Sequence, residues 1–240
     1  NVLEINGTDP YNNNSINNLV VVTAALNHRH FYISGGNLTL RYLKFIGGSA
    51  IINNTTEESN NGGFIVLKNG GTVNLHACII HGNIANNFGG GLYVTQKSNL
   101  YMYSCIVNRN IANVRGGGIF LTDDSKVNAI NSSFIVNEVL EYSGGAIYVW
   151  HRSVISMHSC IVNMNKAKTS GGGVFLRDDS IMHVTNSSFF GNEALTGNGG
   201  AFHIWWRCTL YMYSCITNGN KAKQNGGGIY LSRDGKINVD

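Results

Sequence analysis

Apolar and polar residues alternate in short runs along most of this chain, and the runs themselves recur. Gly-Gly doublets begin at Gly62, Gly89, Gly116, Gly144, Gly171, Gly199 and Gly226, in steps of 27, 27, 28, 27, 28 and 27 residues. Three positions into each unit stand Ile65, Leu92, Ile119, Ile147, Val174, Phe202 and Ile229, and two further on Leu67, Val94, Leu121, Val149, Leu176, Ile204 and Leu231. A second alternating pair follows, Val73/Leu75, Leu100/Met102, Val127/Ala129, Ile155/Met157, Met182/Val184, Leu210/Met212 and Ile237/Val239. Side chains of a strand alternate between its two faces, so this register predicts strands. A third apolar column (Ile80, Val107, Phe134, Val162, Phe189, with Thr217) predicts a third strand. Three short strands per turn, punctuated by glycine and free of helical periodicity, predict an all-β parallel β-helix, a solenoid of about eight coils of 27–28 residues.

A slower period overlies the coil. GGGIFLTDDSKVNAINSSFIVNE at Gly116 and GGGVFLRDDSIMHVTNSSFFGNE at Gly171 resemble each other more than their neighbours, whereas the coils at Gly89, Gly144 and Gly199 share MYSCIVN, MHSCIVN and MYSCITN. The expected unit is therefore a pair of coils, 55 residues long. Upstream, residues 37–50 match the second and third strands of one more coil, an insert is expected at 51–61, and residues 1–34 form an irregular first coil. Residues 35–240 make up the solenoid.

Asn83, Asn110, Asn137, Asn165, Asn192 and Asn220 share one position, followed two residues later by Ala85, Ala112, Val139, Ala167, Ala194 and Ala222. Stacked amides can hydrogen-bond along a solenoid axis, as in cross-β ladders, so this column reads as a structural ladder rather than a ligand site.

Composition narrows the class. The 240 residues include 34 Asn and 30 Gly, and only 12% are charged, about half the usual share. The polar surface must be made of amides, hydroxyls and backbone. A single Pro and glycine without a three-residue period exclude proline-rich linkers and collagen. The longest apolar run, residues 19–26, is too short to span a bilayer as a helix, so no membrane insertion is expected in this segment. The chain opens on Asn1 rather than Met, as expected of a mature or excised piece. A net charge of +4 with scattered basic residues does not point to nucleic acid.

Any surface chemistry of such a rod falls to its outward positions. Polysaccharide lyases and hydrolases need clustered carboxylates, with Ca²⁺ and an Arg base or with acid–base pairs. The outward residues of the first strand are Val66, Tyr93, Phe120, Tyr148, Phe175, His203 and Tyr230, and those of the second include Asn74, Tyr101, Asn128, Ser156, His183 and Tyr211. None is acidic. Asp123-Asp124 and Asp178-Asp179 fall in a tight turn, where Asp serves its own backbone; a Ca²⁺ site there is the lesser reading. No catalytic residue, metal or cofactor is expected, and without a Thr column an ice-binding face is not expected either. The aromatic column Tyr93, Phe120, Tyr148, Phe175 and Tyr230, extended by Trp150, Trp205 and Trp206, has two readings: cross-strand stacking, or an interface for another chain or for sugars.

Cys78, Cys105, Cys160 and Cys215 share a column with Ser132 and Ser187, as expected of small core residues. Cys78 and Cys105 lie on adjacent rungs within bridging range. Cys208 stands in a turn Ser column and is expected to be exposed or paired with another chain. Asn6, Asn13, Asn37, Asn53, Asn54, Asn131 and Asn186 each begin a glycosylation sequon. Asn131 and Asn186 occupy the same place in the two-coil unit, on one face.

Phe134-Ile-Val-Asn137 precedes Gly144-Gly-Ala-Ile147, and Phe189-Phe-Gly-Asn192 precedes Gly199-Gly-Ala-Phe202. With these pairs the coils resemble the repeats of the chlamydial polymorphic outer-membrane proteins, which carry FxxN and GGA(I/L/V) motifs. The resemblance, which spans about residues 62–240, implies the pectin-lyase-like class of right-handed parallel β-helices, and the crossover rule agrees on the hand. By resemblance such chains are adhesins or extracellular structural proteins. The expected function is thus a non-enzymatic, extracellular or cell-surface structural rod, a fibre or appendage subunit joining copies of itself end to end. An adhesin for host protein or glycan is the alternative, and a polysaccharide lyase or hydrolase the third reading.

Overall fold

The computed structural model describes residues 2–7, 19–51 and 60–239. They form an all-β parallel solenoid of about eight turns. The strands sort into four parallel sheets that run the length of the molecule, here called A to D. Sheet A has nine strands and begins with Val2–Asn6, Asn37–Arg41 and Thr72–His76; sheet B has eight, sheet C eight and sheet D seven. One coil shows the plan: Ile119–Leu121 in sheet C, Lys126–Ile130 in A, Ser133–Ile135 in B and Glu138–Val139 in D. Each strand pairs with its equivalents one coil before and after, so Ile119 lies between Leu92 and Ile147. Rungs of a parallel sheet are spaced roughly 4.8 Å apart.

The expected count of three strands per coil is corrected to four. Sheet D consists of two-residue strands such as Ile111–Ala112 and Lys166–Ala167. Two residues are too few to display an alternation, and only the inward Ala/Val column registers in the sequence.

Segment 2–34, irregular in sequence, lays strands on the rod where it is described. Val2–Asn6 pairs with Asn37–Arg41, Val20–Thr23 with Leu43–Ile46, and Phe31–Ser34 with Ile65–Lys68. Most of the expected insert at 51–61 lies outside the described residues. Asn61 at its end is buried and accepts the backbone N–H of Phe88.

The interior is a continuous apolar column fed by sheets A, B and C, from Leu38, Leu43 and Phe45 at one end to Leu210 and Met212 at the other. At roughly 1.5–3 kcal/mol for each large side chain buried, this column is the main stabilising term. Glycine doublets make the corner between D and C. Gly116 has φ 65°, and a Cβ on Gly117 would run into the carbonyl oxygen of Gly145 on the next rung. The doublet therefore permits the close backbone stacking that holds successive coils in register.

Candidate functional site

The asparagine column forms one hydrogen-bonded ladder through the corner between sheets B and D. Nδ2 of Asn83, Asn110, Asn137, Asn165 and Asn192 each donates to Oδ1 of the next Asn, at 2.9, 3.0, 3.0, 2.9 and 2.8 Å. The backbone N–H of each donates to that same oxygen. The second amide hydrogen goes back to a strand carbonyl, as from Asn137 to Val107 at 3.0 Å. Asn83 through Asn192 are fully buried with their polar atoms paired, the arrangement that offsets the cost of burying an amide. The geometry is inward and offers no surface to a ligand.

The corner between sheets C and A carries the charge. Two consecutive residues per coil are left-handed there, including Asp123 and Asp124 at φ 55° and 58°, and His151 and Arg152 at 46° and 54°. Because coils are in register, residues at one corner position stack along the rod and alternate in sign. Arg152 grips Asp124 through Nε and a terminal nitrogen, both at 2.9 Å, and Arg207 grips Asp179 with both contacts at 2.8 Å. The Arg152 hydrogen bond, with the nearby positive charges, holds the Asp124 carboxyl below its usual range. Asp123 accepts from Thr95 at 2.7 Å and from Thr122 at 3.2 Å, and lies 3.2 Å from His151. Asp178 accepts from the indole of Trp150 and from Arg177. The carboxylates of both acidic pairs are thus taken up by neighbouring side chains. Among the described residues no group of three or more His, Cys, Asp or Glu is placed to hold a metal ion.

The arginine partners escaped the reading of the sequence because each stands a full coil away from its aspartate. Column alignment carries the signal: Asp124, Arg152, Asp179, Arg207 and Asp234 occupy one position. A second alternating column lies on sheet D, where Glu138, Lys166, Glu193 and Lys221 are register partners.

The aromatic column stacks as a stair. Centroid separations are 5.5 Å for Tyr93–Phe120, 5.3 Å for Phe120–Tyr148 and 5.0 Å for Tyr148–Phe175, with ring planes within 10° of parallel. His203 continues it at 4.6 Å from Phe175 and meets Tyr230 edge-on at 4.9 Å. For the middle of the column the interface reading is corrected: Phe120, Tyr148 and Phe175 are only 1%, 2% and 5% exposed. They form a second hydrophobic cluster outside sheet C, packed by Phe88, Tyr93, Trp150 and Trp205. Arg115 lies over Phe88, Tyr142 and Tyr148, while Arg177 sits between Trp150 at 5.4 Å and Trp205 at 4.5 Å. Guanidinium groups thereby shield what period-two alternation assigns to solvent. Trp206 alone of the three tryptophans is well exposed.

All five cysteines are free thiols. Cys78, Cys105 and Cys160 are buried core residues, and burial pushes the Cys105 thiol up to about 12. The expected exposure of Cys208 is corrected. It is fully buried, because its column of turn residues points inward, and its Sγ accepts the Ser180 N–H at 3.3 Å. Asn6, Asn37, Asn131 and Asn186 are exposed; Asn13, Asn53 and Asn54 lie outside the described residues.

These features define a repeat solenoid whose surface chemistry runs in columns along its axis. The chain matches the family model of the right-handed β-helix region twice, over residues 6–159 and 45–217. It belongs to the right-handed β-helix family, which sets the hand of the coil. No curated protein and no solved structure matches it.

Proposed function

We propose that this chain is a non-enzymatic structural rod of an extracellular or cell-surface protein. One observation carries the reading: the paired acidic residues at the C-to-A corner are bound to neighbouring rungs, Asp124 to Arg152 and Asp179 to Arg207. A glycan-cleaving β-helix needs carboxylates free to exchange a proton or to hold a cation. Here they join coil to coil.

The finer organisation is a two-coil unit. It is supported by the alternation of acid and base in two separate columns, at the C-to-A corner and on sheet D. A charge pattern with that period attracts a neighbouring coil only in the correct register. The likeness to the FxxN and GGA(I/L/V) repeats of polymorphic outer-membrane proteins supports a surface location.

In this role the rod joins other copies or further coils of the same protein through its strand edges, since each rung offers unpaired backbone to the next. Electron microscopy of the isolated material, beside a depolymerisation assay on acidic and neutral polysaccharides, tests the reading. Rods in linear array with no cleavage of any polymer are expected; release of oligosaccharides overturns it. An adhesive role is favoured by one feature, the exposed Trp206 beside Arg207, and glycan-array binding abolished by Trp206→Ala would establish it in place of the structural reading.

A further inference from the structure

The two internal sequons of the rod differ from the other coils at three adjacent columns at once. At the first, the left-handed corner between sheets A and B, Ala77, Ser104, Ser159 and Ser214 are replaced by Asn131 and Asn186, all with φ between 49° and 54°. Asparagine tolerates this backbone, so its presence alone needs no further cause. The middle column exchanges Cys78, Cys105, Cys160 and Cys215 for Ser132 and Ser187. Those two hydroxyls are engaged inward: each accepts the N–H of the cysteine one rung before, at 3.1 and 2.9 Å, and donates to a carbonyl, Ile130 or Thr185.

The third column is the informative one. Its register partners along sheet B are Val21, Lys44, Ile79, Ile106, Ser133, Ile161, Ser188 and Ile216. Serine replaces an outward isoleucine only in the two coils whose corner residue is Asn. Neither backbone strain nor core packing requires that hydroxyl, and it completes Asn-X-Ser in both places. Asn131 and Asn186 are exposed, and neither carboxamide has a hydrogen-bond partner among the described residues. They lie two rungs apart, roughly 9.6 Å along the axis. The isoleucines left between and beside them, Ile161 and Ile216, are 40% and 63% exposed, apolar surface of the kind that ordinarily finds cover.

We propose that Asn131 and Asn186 carry N-linked glycans, which lie along sheet B over the exposed isoleucines. The step joins the Asn Nδ2 to the anomeric carbon of a lipid-diphosphate-linked oligosaccharide. The sugar–phosphate bond breaks, the lipid diphosphate leaves, and the amide gives up one proton. This inference rests on the extracellular reading above, since the donor is met only in the secretory route.

The test secretes the full chain from eukaryotic cells behind a cleavable signal and maps its peptides after glycosidase release in heavy-oxygen water. Asn131 and Asn186 should both return as labelled Asp. Ser133→Ile, which restores the residue of the two flanking coils and so preserves the fold, should lose the glycan at Asn131 and keep the one at Asn186; Ser188→Ile should do the reverse. Removing the glycans from folded protein should raise binding of an apolar dye. Secreted chain with either Asn unmodified, or Ser133→Ile with its Asn131 glycan intact, overturns the assignment while leaving the extracellular reading standing. Unchanged dye binding overturns the shielding of sheet B. Native material found in the cytosol instead removes the extracellular reading itself.

Discussion

Asn137 directs two donors, its backbone N–H and its Nδ2–H, at the same acceptor, Oδ1 of Asn165 one coil further on, at 2.8 and 3.0 Å. Asn110 treats Asn137 in the same way at 3.1 and 3.0 Å. Each rung thus depends on the next for the acceptor that satisfies two of its donors, and the ladder couples neighbouring coils independently of the apolar core.

Replacing Asn137 by Ala leaves both Asn110 donors without an acceptor in a fully buried site. A buried donor left unpaired costs about 1–3 kcal/mol, so a loss of ~2–5 kcal/mol is expected, measured by urea unfolding. Asn220→Ala, at a half-buried rung whose surroundings admit water, should lose distinctly less. Equal losses at the two positions would argue against the ladder as a buried network.

Arg177 is clasped between Trp150 and Trp205, where desolvation strengthens a cation–π contact to roughly 1–2 kcal/mol. Arg177→Met keeps the aliphatic length and removes the charge. It should lower stability by ~1–2 kcal/mol and red-shift tryptophan emission as both rings gain water. A variant with unaltered emission would show that packing, rather than the guanidinium, holds the two indoles.

His203 predicts an acid sensitivity. Burial in the aromatic column lowers its pKa from 6.5 to about 4; its Nε2 meets Ser232 Oγ at 3.2 Å, and Phe175 and Tyr230 pack against the ring. Above pH 6.5 neither the folded nor the unfolded chain binds a proton there. Between 6.5 and about 4 the unfolded chain takes one up and the folded chain does not, so stability falls as pH drops through that window. The loss attributable to this side chain reaches about 3 kcal/mol near pH 4. His203→Phe should flatten the pH–stability curve over this interval, which unfolding curves at pH 4, 5, 6 and 7 would measure.

The thiols should differ in reactivity. Burial raises Cys78 to about 11 and Cys105 and Cys208 to about 12, and raises Cys160 as well. The thiolate is the reactive form, so in folded protein at pH 8 an alkylating reagent should modify Cys215, which is half-buried, well before the rest. All five should react in denaturant. Early labelling of Cys208 would mean that its corner opens in solution.

Much of this architecture is legible in the chain because a solenoid turns long-range contacts into short sequence periods. Leu92, Ile119 and Ile147 are register neighbours, and a coil length in residues is all that is needed to align them. The asparagine ladder is legible for the same reason, since identical residues at one period stack on one another. Sheet D was not, because Lys166–Ala167 and its equivalents are too short to show alternation. Nor was the inward direction of Cys208: the two left-handed residues before it, Trp206 and Arg207, turn the chain by an angle that counting along a strand does not supply.

The amino-acid sequence by itself determined the coil length, the inward faces of three sheets and the column in which each residue stands, because a recurring apolar pattern with one buried face admits one register between coils. Tertiary structure alone decided which outward residues meet solvent. Phe120 and Trp206 are both aromatic residues expected at the surface, yet one is 1% and the other 40% exposed. The difference lies in what the adjacent rungs and corner loops lay over them: stacked rings on both sides and Trp150 in the first case, and only Trp205 at the edge and Arg233 over one face in the second. Exposure is a property of neighbours brought together by the fold, and alternation within a strand reports only which face of the sheet a side chain leaves from.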